Sequence, residues 1–215
     1  FTPLLSQTEI DAEKVKKIIE AEYKAAGMKP EDLQTGAVII TGETARKHNA
    51  NTVLASLSSM AGDFVVATAG PDLESVLSAK GAGADAFSEE HRQAVANIDI
   101  GGGTSNIALF QKGNLKGTSC LDIGGRLIKI ENGRISYIFP KIQKLAEAHG
   151  IHIAVGDRAE ETVLYKICEY MADQLAMAIH AREADSLHAG LYTNDGKPLT
   201  SEPKIDAITY SGGVA

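Results

Sequence analysis

The chain has 215 residues, of which 44% are hydrophobic and 23% charged, so it can bury a sizeable core and has the composition of a globular protein. Its net charge of -7 gives no basic excess, which argues against nucleic acid or an anionic membrane surface as a partner. No apolar run approaches the roughly 20 residues needed to cross a bilayer. Cys120 and Cys168 show no metal or disulfide spacing, so we expect both to be reduced and buried in a cytoplasmic protein.

The first ninety residues alternate helical and strand-like patterns. Apolar residues three and four apart predict the helices, and short continuous apolar runs are typical of strands buried on both faces of a sheet. The predicted elements are, in order, a helix over 8–27, a strand over 37–40, a helix over 44–60, a strand over 64–70, a helix beginning at 71 and a short helix over 88–96. This alternation indicates an α/β layer with parallel strands, and we place a domain boundary near Glu90.

Glu43 follows the first predicted strand, at the end where ligands of open α/β sheets collect. Two interpretations stay open for this residue. Its carboxylate orients a water molecule or contacts Mg²⁺, or the turn in which it lies only caps the helix that follows.

From residue 91 onwards the pattern changes to successive strands. The predicted elements are strands over 98–100, 107–110 and 115–121, a hairpin over 128–139 around Asn132-Gly133, a short helix over 141–148, an apolar segment over 151–155, a helix over 158–184 capped by Asp157, and a last strand over 205–210. The two domains are therefore predicted as 1–90 and 91–215.

The motif that carries chemistry is Asp99-Ile100-Gly101-Gly102-Gly103-Thr104-Ser105-Asn106. Glycines let backbone N–H groups approach a ligand together, and such nests bind phosphate groups. Asp99, at the end of a strand, is placed to hold a hydrated cation such as Mg²⁺ beside the phosphate. A ligand-free turn between two strands is the alternative interpretation.

Two further glycine pairs follow later in the chain. Asp122-Ile123-Gly124-Gly125-Arg126 repeats the Asp-x-Gly-Gly pattern, and its arginine either neutralises phosphate or pairs with an acid. Ser211-Gly212-Gly213 follows the last predicted strand, and its glycines permit a flat ligand such as a nucleoside to lie against the backbone. Each pair is also open to a second interpretation, as a tight turn between a strand and a helix.

These three glycine elements, in this order, resemble motifs of the actin/Hsp70/sugar-kinase ATPase superfamily. The segment 98–106 is similar to its second phosphate loop, 121–125 to the glycine pair after its third strand, and 208–213 to its adenosine motif. The resemblance implies an α/β fold of actin-like ATPase (ribonuclease H-like) domains, with part of the first domain and most of the second. It also implies ATP and Mg²⁺ as cofactors.

The same resemblance implies a role for each matching residue. Asp99 would be catalytic and would bind Mg²⁺ through water. The nucleotide contacts would come from Gly101, Gly102, Gly103, Thr104, Ser105, Asn106, Gly124, Gly125, Ser211, Gly212 and Gly213.

A closer resemblance is to the EutA family of ethanolamine ammonia-lyase reactivating factors, and the segments 38–45, 62–76 and 97–110 carry it. It implies a bacterial, chaperone-like protein whose partner is ethanolamine ammonia-lyase. Such a protein uses ATP to release damaged cobalamin from the lyase, so that intact adenosylcobalamin can bind again. The expected location is cytoplasmic, and association with a bacterial microcompartment and homo-oligomerisation are left open.

One motif of the superfamily, a first phosphate loop near the amino terminus, is not found in this sequence. We therefore expect an internal fragment, truncated at its carboxyl end, that binds nucleotide weakly and hydrolyses it poorly. Two alternatives stay open for the function. One is a small-molecule kinase of the same fold, and the other is a non-catalytic scaffold that uses the actin-like fold for interaction only.

Overall fold

The computed structural model describes residues 2–6, 9–33, 37–40, 48–58, 65–68, 70–193 and 196–215. The chain divides into two compact units, Phe1–Gly70 and Pro71–Ala215. The sequence placed a boundary near Glu90 instead, twenty residues further on. The difference arises because the two helices between Pro71 and His91 pack against the sheet of the second unit.

The described residues of the first unit form two α-helices and two strands: α1 (Ala12–Ala26), β1 (Ala37–Ile40), α2 (Ala50–Ser58) and β2 (Val65–Thr68). The strands pair in parallel, as the alternating pattern predicted. Helix α1 begins after Asp11, whose carboxylate accepts a hydrogen bond from the Lys14 N–H at 3.0 Å, and ends at Gly27 with a φ of 66°. Thr8, the first residue of the predicted helix, and Glu43 lie outside the described residues.

The second unit is built on a four-stranded sheet and a separate hairpin. Its elements are α3 (Pro71–Gly81), α4 (Ala84–His91), β3 (Ala94–Ile100), β4 (Ser105–Gln111), β5 (Asn114–Leu121), β6 (Ile128–Glu131), β7 (Arg134–Ile138), α5 (Pro140–Ala148), α6 (Glu161–Ala178) and β8 (Ala207–Ser211). The sheet order is β5-β4-β3-β8, and β6 pairs with β7. The first three strands of the sheet are antiparallel neighbours, and β8 joins parallel to β3.

The two faces of this sheet differ in chemistry. One face is apolar: Ala96, Ile98, Ile107 and Leu109 are buried against a cluster that includes Leu175 and other side chains of α6. On the other face, α3 and α4 cover Val95, Ala108 and Phe110. Because side chains alternate along a strand, Asn97, Asp99 and Asn106 share this second face, nearer the carboxyl end of β3.

Several local predictions in the second unit are wrong. The long helix begins at Glu161 rather than at 158, and Asp157 does not cap it. The Asp157 carboxylate instead accepts a hydrogen bond from the Ala154 N–H at 2.7 Å and so closes the preceding turn. Cys120 is buried as expected, but Cys168 is exposed because it projects from the outer side of α6.

The predicted α/β class is confirmed by this arrangement of sheet and helices. Three successive antiparallel strands, followed by a helical segment and a strand parallel to the first, also agree with the element order expected for an actin-like domain. In the described parts of the chain, no helix combines the length and the apolar character needed to traverse a bilayer.

Candidate functional site

The site is built around the turn between β3 and β4. The Gly101 N–H donates to the Thr104 carbonyl at 2.9 Å, which closes a tight loop at the carboxyl end of β3. Among the residues that the structure describes, the N–H groups of Gly102, Gly103 and Thr104 have no hydrogen-bond acceptor. Three neighbouring backbone donors are therefore available to an anion at this loop.

The second glycine pair packs directly under the loop. The Gly125 N–H donates to the Gly101 carbonyl at 3.0 Å, and the Arg126 N–H donates to the Gly102 carbonyl at 2.8 Å. A Cβ at Gly124 would lie 2.6 Å from the Gly102 carbonyl carbon and 2.7 Å from the Gly103 nitrogen. The turn thus engages the carbonyl groups of the loop, and its own contacts with the loop leave the N–H groups of Gly102, Gly103 and Thr104 without an acceptor in the described part of the chain.

The third glycine segment meets both of the others. Gly212 has a φ of 103°, and a Cβ there would collide with the Ile100 carbonyl oxygen and lie 2.6 Å from Asp99 Oδ1. The Val214 N–H donates to that same carbonyl at 3.2 Å. A Cβ at Gly125 would in turn lie 2.7 Å from both Cγ atoms of the Val214 side chain. Three segments that are far apart in sequence therefore adjoin at one end of one sheet.

The two aspartates of the repeated Asp-x-Gly-Gly pattern have different surroundings. Asp122 is buried, and its Oδ2 accepts a hydrogen bond from Lys141 Nζ at 2.6 Å, while that ammonium also donates to the Tyr192 carbonyl at 2.8 Å. Asp99 is half-buried, and its carboxylate has neither an ion pair nor a hydrogen bond within the described ranges. Asp99 is therefore available to a cation, whereas Asp122 holds a structural ion pair.

The three polar residues after the glycines differ in their hydrogen bonds. Ser105 is fully buried, and its hydroxyl donates to the Ile123 carbonyl at 2.8 Å, so this side chain supports the second glycine turn. Thr104 is buried and supplies the carbonyl that closes the loop. Asn106 is 2% exposed, lies directly opposite Asp99 in the register, and its Oδ1 has no partner in the described structure. Asn106 thus brings an unused acceptor to the same face as the Asp99 carboxylate.

The parallel register of β3 and β8 places Ser211 beside Asp99. The adenosine contact that the resemblance implied for Ser211 stays a prediction. The Ser211 hydroxyl accepts a hydrogen bond from Asn97 Nδ2 at 2.9 Å. Asn97 is fully buried and was not singled out from the sequence, although a polar residue inside an apolar strand run is a recognisable signal.

A buried histidine, His188, connects helix α6 to the strand that precedes the second glycine turn. His188 Nδ1 donates to Gln174 Oε1 and its Nε2 accepts from the Tyr192 hydroxyl, both at 2.9 Å. Burial lowers the pKa of His188 and raises the pKa of Tyr192. Leu121 forms a β-bridge to Tyr192, so this network ties α6 to the end of β5, from which the second glycine turn starts.

Arg126 approaches the loop with its aliphatic stem. A Cβ at Gly102 would lie 3.1 Å from Arg126 Cδ, so the side chain passes over the second glycine of the loop. The residue itself is exposed. This position agrees with the interpretation that its guanidinium neutralises phosphate, which stays a prediction.

The whole chain, residues 1–215, matches the family model described as "Ethanolamine utilisation protein EutA". The chain belongs to this family. Two curated relatives, both described as "Ethanolamine ammonia-lyase reactivase EutA", are 49% identical over 218 residues in Escherichia coli K12 and 40% identical over 215 residues in Salmonella typhimurium LT2. Each alignment takes in 100% of this chain and 45% of the relative, so the chain spans about half the length of these EutA proteins.

Among solved structures, a Ppx/GppA phosphatase from Aquifex aeolicus is similar with a TM-score of 0.48 and 16% sequence identity, over 94% of this chain and 51% of that chain. A likeness at this level is too weak to assign a fold. The strand order and register of this EutA family member define its fold directly.

Proposed function

We propose that the full-length protein, meaning a chain of the length of the curated relatives that contains these 215 residues, is an ATP-dependent reactivating factor for ethanolamine ammonia-lyase. One observation carries the nucleotide part of the proposal: three separate glycine segments adjoin around Asp99, whose carboxylate has no partner among the residues that the structure describes. The names of the two curated relatives support the reactivating role.

The loop has the donor set that a triphosphate requires. The N–H groups of Gly102, Gly103 and Thr104 have no acceptor among the described residues, so they would donate to phosphate oxygens. Backbone donors that are already held in place need no reorganisation when charge develops on the phosphoryl group. These amides would therefore bind the β- and γ-phosphates and stabilise the transferring group.

Asp99 and Asn106 have the chemistry to hold a hydrated Mg²⁺. Mg²⁺ prefers oxygen ligands, usually keeps several waters and takes one or two carboxylates from the protein. The Asp99 carboxylate would accept hydrogen bonds from those waters, and Asn106 Oδ1, which has no partner among the described residues, would accept another from the same side. When bound, Mg²⁺ supplies charge neutralisation to the phosphates.

The glycines of the other two segments would serve the nucleotide in different ways. Gly124 and Gly212 are required by the protein itself, because a Cβ at either would clash with backbone or with Asp99. A Cβ at Gly213, by contrast, meets no atom within 4 Å. We propose that the open surface at Gly213 receives the flat nucleoside, while Gly124 and Gly212 allow the loop and the carboxylate to keep their positions.

The reactivating step requires that nucleotide binding change the affinity of the protein for the lyase. Such coupling needs two states of the protein that bind the partner differently. We propose that occupation of the loop by nucleotide favours one state and loss of the γ-phosphate favours the other. In that cycle the lyase releases damaged cobalamin and intact adenosylcobalamin binds in its place.

The test is reactivation of lyase that has been inactivated with cyanocobalamin, by full-length protein with ATP and Mg²⁺. We expect Asp99→Asn to abolish reactivation while binding to the lyase is retained, because the isosteric amide removes only the negative charge. Asp173→Asn is the matched control, since the carboxylate of Asp173, a residue of α6, forms a partly exposed ion pair with Arg182 at 3.0 Å. Its effect should be small.

Two results would contradict the proposal. Full reactivation by Asp99→Asn would indicate a scaffold that needs no nucleotide at this site. Failure of the wild-type protein to reactivate, together with phosphate transfer from ATP to a sugar or polyol, would indicate a small-molecule kinase.

A further inference from the structure

Asn97 is a buried amide in the middle of the central strand β3. It is 0% exposed, yet it is flanked along the strand by Ala96 and Ile98, both of which belong to the apolar core. Its Nδ2 donates to Ser211 Oγ at 2.9 Å, and its Oδ1 accepts from Thr209 Oγ1 at 2.9 Å. The amide therefore bridges two hydroxyls of the neighbouring strand β8.

The two hydroxyls play opposite roles in this bridge, because one donates a hydrogen bond to Asn97 and the other accepts one from it. Thr209 uses its proton on Asn97, so its hydrogen is engaged inside the sheet. Ser211 receives a proton from Asn97, so an oxygen lone pair is engaged and its own O–H remains to donate elsewhere. In the described part of the chain, Asn97 is the one hydrogen-bond partner of the Ser211 side chain.

The position of Ser211 determines what that proton can reach. Ser211 is half-buried, is the last residue of β8, and pairs in register with Asp99. Thr209 pairs with Asn97, one pleat further from the glycine loop. A donor at Ser211 therefore lies beside the carboxylate proposed to hold Mg²⁺, whereas a donor at Thr209 does not.

We infer that Asn97 is a positioning residue that presents the Ser211 hydroxyl as a donor to an oxygen of the Mg²⁺–phosphate group. Ser211 then contacts the phosphate end of the nucleotide and not the adenosine. The inference rests on the proposed nucleotide site. It differs from a purely structural role, in which Asn97 would only hold β8 in register with β3 and both hydroxyls would matter equally.

The experiment compares Ser211→Ala with Thr209→Val in the full-length protein. Each substitution removes one hydroxyl bonded to Asn97, so the two are matched for loss of the bridge. Binding of Mg²⁺–ATP and of adenosine is measured by competition against a fluorescent nucleotide. We expect Ser211→Ala to weaken Mg²⁺–ATP about tenfold or more, as for loss of a hydrogen bond to a charged group, and to leave adenosine unchanged. Thr209→Val should change neither.

Three outcomes would overturn the inference while the wild-type protein still binds Mg²⁺–ATP. Equal weakening of adenosine and Mg²⁺–ATP by Ser211→Ala would assign Ser211 to the nucleoside. Unchanged binding of both ligands would leave only a structural role. An equal loss with Thr209→Val would show that the bridge acts on the sheet as a whole. Absence of Mg²⁺–ATP binding by the wild type would instead refute the proposed function.

Asn97 itself is tested by a double-mutant cycle with Asn97→Leu, which keeps the side-chain volume and removes both hydrogen bonds. We expect Asn97→Leu to weaken Mg²⁺–ATP in the wild-type background and to have no further effect on binding in the Ser211→Ala background. Additive losses would contradict the positioning role. If Asn97→Leu does not fold, the comparison of Ser211→Ala with Thr209→Val still decides the inference.

Discussion

The absent side chain of Gly212 makes room for the carboxylate of Asp99. A Cβ at Gly212 would lie 2.6 Å from Asp99 Oδ1 and would also clash with the carbonyl oxygen of Ile100. The residues are 113 positions apart, yet the parallel pairing of β3 and β8 brings them into contact. The third glycine motif therefore preserves the position of the acid that begins the first one.

Gly212→Ala should consequently reduce stability and disturb the proposed Mg²⁺ site at Asp99. The substitution adds a clash with a backbone oxygen and places a side chain at a φ of 103°, a conformation that L-residues avoid. We expect a loss of about 1–3 kcal/mol in the free energy of unfolding, measured by urea denaturation, and weaker Mg²⁺ dependence of nucleotide binding.

Gly213→Ala is the matched control for that substitution, because its Cβ would meet no atom within 4 Å. We expect stability close to that of the wild type and weaker nucleotide binding, since the added methyl group projects into the space proposed for the nucleoside. Equal destabilisation by Gly212→Ala and Gly213→Ala would contradict the steric relationship between Gly212 and Asp99.

Gly124→Ala should destabilise the glycine loop between β3 and β4, because Gly124 packs against the backbone of that loop. A Cβ there would lie 2.6 Å from the carbonyl carbon of Gly102, and main-chain atoms cannot move aside as a flexible side chain can. Overpacking of this kind costs roughly 1–3 kcal/mol. Thermal unfolding should show a clear loss for Gly124→Ala and little change for Gly190→Ala, where a Cβ would have no neighbour within 4 Å.

Lys141→Met tests the ion pair between Lys141 and Asp122, the residue that begins the second glycine turn. The substitution removes the ammonium that donates to Asp122 at 2.6 Å and to the Tyr192 carbonyl at 2.8 Å, and so leaves a buried carboxylate without this cation. We expect a loss of about 1–3 kcal/mol in the free energy of unfolding. Lys144→Met, on the exposed side of the same helix, should change stability little, and a similar loss there would indicate a general effect of charge.

The histidine network predicts a loss of stability on mild acidification. Burial lowers the pKa of His188 below the ordinary value of 6.5; the charge of Asp185 opposes this shift and that of His180 adds to it. The unfolded chain therefore takes up a proton at higher pH than the folded chain. The contribution of His188 to the free energy of unfolding should be complete above about pH 6.5. It should decrease as the pH drops from 6.5 towards the folded-state pKa.

Urea unfolding at pH 7.5, 6.5 and 5.5 measures this dependence. His188→Asn keeps a donor towards Gln174 Oε1, the partner of His188 Nδ1, but cannot titrate. The variant should therefore show a shallower decline in stability over this range than the wild type. Parallel declines in the two proteins would assign the pH dependence to other groups.

Much of the second unit was predictable because its elements have strong local signals. The sequence predicted β3, β4 and β5 as three successive strands, although β3 begins at Ala94, four residues before the predicted start at 98. The Asn132-Gly133 turn predicted the hairpin, and both residues have positive φ values, of 51° and 73°. The helix ends were less predictable: the carboxylate of Asp157 accepts a hydrogen bond from the Ala154 N–H in the preceding turn, and the helix begins only at Glu161.

The sequence by itself determined the composition of the site: an acid and three glycine-rich segments, whose chemistry indicates a phosphate ligand. Tertiary structure alone decided which of these residues are available to it. Asp99 and Asp122 have the same local pattern, but Lys141, nineteen residues beyond Asp122, pairs with only one of them. Likewise, the register of β8 against β3 placed Ser211 beside Asp99 and aligned Asn97 with Thr209. Such contacts depend on strand pairing between distant segments, and no local pattern encodes them.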